Sequence, residues 1–139
     1  HAESDLLNDP PTTRLVPIKG IAMVNKEGFW DELFTADDEH FACPTRDPDA
    51  YAIRLRGDGY YPAIPSGHCI LIEPNAVVGP GNRVLVRTHK GRSFIRELLW
   101  ANDAEYAFQS ITSGNERTTT AKSLVEYMHR IRSVFDAET

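Results

Sequence analysis

Three observations predict a mostly β, single-domain fold built from twisted antiparallel sheets. The apolar residues fall in short runs with a period near two, and only one segment has helical spacing. Glycine, proline and Asn/Asp clusters stand between the runs at short intervals. The chain has 139 residues, 41% apolar and 25% charged, which suffices for one buried core and is too short for two ordinary domains.

Residues 1–14 read as a linker, because Asn8-Asp9-Pro10-Pro11-Thr12-Thr13 is polar and cannot continue a helix. The domain itself is expected over 15–135. Residues 15–24 form the first apolar stretch and predict a strand with an early proline. Residues 26–40 are acidic, and Phe29, Trp30, Leu33 and Phe34 have the spacing of a short amphipathic helix. Residues 44–50 predict a loop. Tyr51-Ala-Ile-Arg-Leu-Arg56 alternates and stops at Gly57-Asp58-Gly59. Cys69-Ile-Leu-Ile-Glu73 is a continuous apolar strand stopped by Pro74-Asn75. Residues 83–89 and 93–100 predict a hairpin turning at Lys90-Gly91. Residues 106–111 predict a short strand, Ser113-Gly114-Asn115 a turn, and 126–135 a final strand.

Composition excludes several functions. Residues 1–50 hold eleven acids and four bases, whereas 51–139 hold eleven bases and nine acids. Neither half has the basic excess of a domain that neutralises a phosphate backbone. Five bases gather over 83–96, where strand-borne charge reads as a solvated face. Cys43 and Cys69 have no CxxC context, and the five histidines are scattered, so no zinc set, other metal or cofactor is expected. The thiols predict a reduced, cytoplasmic setting. No run approaches the ~20 apolar residues of a membrane helix, and no secretory leader is visible.

One segment is more specific. Leu55-Arg-Gly57-Asp58-Gly59-Tyr60-Tyr61-Pro62-Ala63-Ile64-Pro65-Ser66-Gly67-His68 is followed by the strand to Glu73, by Gly79-Pro-Gly-Asn-Arg-Val-Leu-Val86, and by Ser93-Phe-Ile-Arg-Glu-Leu98. This resembles the C-terminal domain of the LexA and lambda-type repressors, the self-cleaving serine peptidases that include UmuD. The family pattern there is V-x-G-D-S-M-x-P-x-I-x-x-G-D, then two strands and a hairpin ending in x-V-K-R-L. The opening Val16-Pro17-Ile18-Lys19-Gly20 resembles the family's V-P-L-x-G start. The resemblance covers about residues 15–135 and implies the LexA-like C-terminal peptidase fold.

The departures bear on chemistry. On that frame the nucleophilic serine falls on Gly59, the methionine on Tyr60, and the general-base lysine on Arg96. The scissile Ala-Gly bond falls near Val24-Asn25. A serine–lysine dyad needs a hydroxyl that attacks and a neutral amine that takes its proton. Glycine offers no nucleophile, and arginine stays protonated. Gly59 reads either as a turn glycine requiring positive φ or as a lost nucleophile. Arg96 reads either as a rim arginine with a packed stem or as a filler of the lysine site paired with Asp58 or Glu73. Ser66, Ser93 and Tyr60 are the candidates for a relocated nucleophile, and Ser66 next to Gly67-His68 reads as turn chemistry.

The resemblance implies the C-terminal dimerisation and regulatory domain of a phage-repressor-like transcription regulator, with peptidase activity lost. It implies self-association as a dimer or tetramer, with Tyr127, His129 and Ile131 on the last strand as interface residues. DNA contact would belong to an upstream helix-turn-helix domain, and an antirepressor protein would be a further partner. A place in an SOS-type response belongs to the same expectation. The alternatives are an autoprotease with a relocated or mutated dyad and a small-molecule-sensing β-domain whose ligand occupies the vacated dyad cleft.

Overall fold

The computed structural model describes residues 12–112 and 114–137. The chain forms eleven strands in order: β1 (Thr12–Met23), β2 (Phe29–Trp30), β3 (Leu33–Phe34), β4 (His40–Thr45), β5 (Tyr51–Arg56), β6 (Cys69–Glu73), β7 (Arg83–Thr88), β8 (Ser93–Ala101), β9 (Glu105–Gln109), β10 (Arg117–Ala121) and β11 (Val125–Phe135). A 3-10 turn at Lys122–Leu124 joins the last two. They make one curled sheet in the order β10-β9-β8-β7-β11-β6-β5-β1-β3, with β2 added beside β8 and β4 beside β1. The expectation of purely antiparallel pairing needs one correction: β1 runs parallel to β5.

Burial follows the sequence pattern. β1 alternates, with Val16, Ile18, Gly20 and Ala22 inward and Lys19 and Met23 outward. β6 is buried at every position, as its unbroken apolar run requires of a strand covered on both faces. Trp30, Tyr60, Ile64, Leu85, Ile95 and Ile131 close one core cluster. Val16, Cys43, Cys69 and Leu71 lie in a second, and Val84, Phe94, Leu98 and Phe108 in a third. Both cysteines are free, and burial pushes the Cys69 thiol up to about 11 and the Cys43 thiol upward as well.

The helix expected over 26–40 does not form. Phe29 and Trp30 pair with Phe94 and Ser93 of β8, while Leu33 and Phe34 pair with β1. The two apolar pairs are not one stripe: Trp30 is 4% exposed and Phe34 57%. Tertiary pairing with two separated strands overrides a four-residue periodicity. The boundary at residue 15 also moves, since β1 begins at Thr12 and pairs with β4 from its first residue. The rest of the expected linker lies outside the described residues. At the other end Ala137 is still buried.

Candidate functional site, the cleft at Gly59 and Arg96

The loop from β5 to β6 carries the motif and is fastened at both ends. Gly67 N–H donates to Leu55 O at 2.7 Å, and Leu55 N–H donates to His68 O at 2.9 Å. Gly57 N–H donates to Ser66 Oγ at 2.9 Å, so Ser66 ties the turn. Ser93 is buried and accepts from Arg87 Nη1.

Against this loop lies a second, smaller turn. Asn25 Oδ1 accepts from the N–H of Glu27 at 3.1 Å and of Phe29 at 2.9 Å, and Gly28 N–H donates to Asn25 O at 3.0 Å. Val24 N–H donates to Arg56 O at 2.8 Å. The Val24–Asn25 peptide therefore lies across the two motif glycines. At Gly57, whose φ is +108°, an added β-carbon would strike the Val24 carbonyl oxygen. At Gly59 it would strike the Asn25 carbonyl oxygen and come within 2.7 Å of Val24 Cγ1.

Gly59 itself does not have the positive φ that the turn reading requires. Its constraint is space: the carbonyl of Asn25 stands where a side chain would.

Tyr60 holds the two turns together. Its hydroxyl donates to Gly28 O and accepts from Ile95 N–H at 2.8 Å. Burial pushes its pKa upward, with the Ile95 N–H and the Arg96 charge opposing that shift. The phenol stays neutral and keeps the proton it donates.

Arg96 projects from β8 into the same cleft. Its Nη1 donates to Thr118 Oγ1 at 2.7 Å, and its guanidinium lies over the rings of Phe94 at 4.5 Å and Phe29 at 5.4 Å. Burial lowers its pKa, opposed by Tyr60 and by the Glu116 carboxylate. The expected partners, Asp58 or Glu73, are not used. Glu73 is buried elsewhere, accepting from Thr45 Oγ1 at 2.6 Å and from Arg132 Nε at 2.7 Å.

Gly59, Tyr60 and Arg96 thus line one cavity of about 390 Å³, closed by Lys26–Phe29 on one side and by Ser110, Thr112, Glu116 and Thr118 on the other. The residues of the 110–118 hairpin were not foreseen, because only the pairing of β9 with β10 brings them to β8. Ser110 and Thr112 bond each other at 2.8 Å, and no hydrogen bond joins Lys26 to either hydroxyl. A wider groove of about 870 Å³ lies at the β7–β8 hairpin among Asp31, Arg87, Lys90 and Arg92, away from the motif glycines.

The interface residues expected on β11 sit differently. Tyr127 and His129 are half-buried and stacked, with ring centroids 4.3 Å apart, and His129 Nδ1 lies 3.0 Å from the Tyr51 hydroxyl. Ile131 is 7% exposed within the chain's own core. It is therefore not available as a contact surface while this fold is intact.

A curled β-domain with the G-D-x-x-x-P-x-I-x-x-G loop at the head of a cleft, and a hairpin strand supplying a cation to it, defines a peptidase-like domain of the LexA type. The chain belongs to the Peptidase S24-like family, which matches residues 5–128. No curated protein gives a significant match. No helix among the described residues is long and apolar enough to cross a membrane.

Proposed function

We propose that the chain is a catalytically inactive regulatory and dimerisation domain of a phage-repressor-like transcription regulator, working in the cytoplasm. The observation that carries this reading is the packing at Gly59. The nucleophile position holds no side chain, and the carbonyl of Asn25 fills the space one would need. The base position holds Arg96, a group that cannot accept a proton near neutral pH. A domain of this family without its dyad retains the capacity to pair with a second copy, and DNA contact then belongs to a separate upstream domain, with a protein antagonist as a further partner.

The test is an intact mass after a day at neutral and at alkaline pH. The chain is expected to stay whole, and fragments meeting at residues 24 and 25 would overturn the reading. Gly59→Ser with Arg96→Lys should also stay whole. The serine would clash with the segment it must cut, and misplacement by about 1 Å costs ~100-fold in such reactions. A cut is expected only after Val24→Ala and Asn25→Gly are added. Rapid cleavage of the plain double variant would mean that the site is preformed.

A further inference from the structure

We infer that this cleft is a binding site for a small carboxylate, held by Arg96 with the hydroxyls of the 110–118 hairpin. Arg96 is half-buried and pairs with no carboxylate among the described residues. Its side-chain hydrogen bond goes to a neutral hydroxyl, Thr118 Oγ1. None of its nitrogens is buried without a partner, so those not bonded to Thr118 touch solvent, and the residue lines the cleft. The guanidinium is held against the Phe94 and Phe29 rings, and its solvent-facing nitrogens form a fork that a carboxylate can meet with two parallel hydrogen bonds.

The remaining lining selects the class. Ser110 and Thr112 share one hydrogen bond between two hydroxyls, which leaves one hydroxyl proton for a ligand oxygen. Lys26 and Arg96 are balanced by Glu27 and Glu116, so a dianion such as phosphate meets two carboxylates. A single carboxylate does not carry that excess. The volume, about 390 Å³, falls at the low end of ligand pockets, roughly 300–1,000 Å³. The carboxylate could belong to a free small acid or to the end of a peptide chain.

The experiment follows backbone amide resonances of the intact chain while acetate, L-alanine, trialanine, C-amidated trialanine or inorganic phosphate is added. Saturable shifts at Gly59, Arg96 and Thr118 are expected with acetate or trialanine, and not with the amidated peptide. Arg96→Gln should weaken that binding ~10-fold or more. Glu116→Gln, at an exposed position, should tighten it several-fold and serves if Arg96→Gln fails to fold. Shifts with acetate and L-alanine equal to those with trialanine identify a free acid as the source, and a response to trialanine alone identifies a chain end. Equal binding of the amidated peptide, binding unchanged in both variants, or no shift up to about 50 mM would overturn the proposal. None of these outcomes depends on self-cleavage or dimerisation, which are measured separately.

Discussion

Gly59, which falls at the nucleophile position on the motif frame proposed from the sequence, has the Asn25 carbonyl pressed into the place of its side chain. Gly59→Ala should therefore destabilise the fold although the backbone there suits any residue. Overpacking of this kind costs about 1–3 kcal/mol, read as a lower denaturant midpoint with an unchanged slope. An unaffected midpoint would show that the Asn25 turn yields freely. Tyr60→Phe tests the other side of the same contact. It removes the donor to Gly28 O and leaves the buried Ile95 N–H without its acceptor, a loss of about 1–3 kcal/mol. The amides of 26–29 should exchange faster than those of β6 in that variant. The motif frame made Gly59 and Arg96 legible in the sequence. Their contacts were not, because Asn25 and Thr118 reach them only through chain pairing far along the sequence.

Among the elements, β11 couples stability to pH. Burial lowers the pKa of His129 from its ordinary 6.5, assisted by the Lys19 charge and opposed by Asp47. The unfolded chain then binds a proton at a pH where the folded chain does not, so stability rises with pH through that window. The contribution is complete above the unfolded value, and it falls as pH drops below about 6.5 toward the lower folded value. Denaturant midpoints between pH 7.5 and 5.5 should show this fall, and His129→Gln should flatten it. A wild-type profile no steeper than the variant's would remove His129 as the cause. The strands themselves were legible where one face is buried, as in β1, or where both are, as in β6. β10, Arg-Thr-Thr-Thr-Ala, was missed because an edge strand with no buried residue carries no apolar alternation. β4 was missed for the proline within it and the acidic run before it. The 26–40 segment misled because four aromatic and aliphatic residues fit a helix and two bridges equally well.

At the scale of the whole molecule, the path of β11 leaves a free edge. Its first half, from Val125 to Arg130, pairs with β7, and its second half, from Arg130 to Phe135, pairs with β6. Residues 131–135 therefore meet a strand on one side only, among the described residues. An unpaired row of backbone N–H and C=O groups is a template for another strand, and a two-fold axis lets the same segment of a second copy supply it antiparallel. A self-contact of this kind would run through the backbone of 131–135, beside the half-buried Tyr127 and His129, with Ile131 buried in the core. The edge of β10 is the rival site. Ser133 and Thr119 are both exposed, so an aspartate at either should leave the fold intact. Sedimentation at micromolar concentration should give a mass near twice 15.6 kDa. In an antiparallel pair Ser133→Asp brings two carboxylates close across the axis, a penalty on the order of 1 kcal/mol that weakens association several-fold. Thr119→Asp should leave it unchanged. The reverse pattern would place the dimer at β10, and a monomer at high concentration would remove dimerisation from the proposed function altogether.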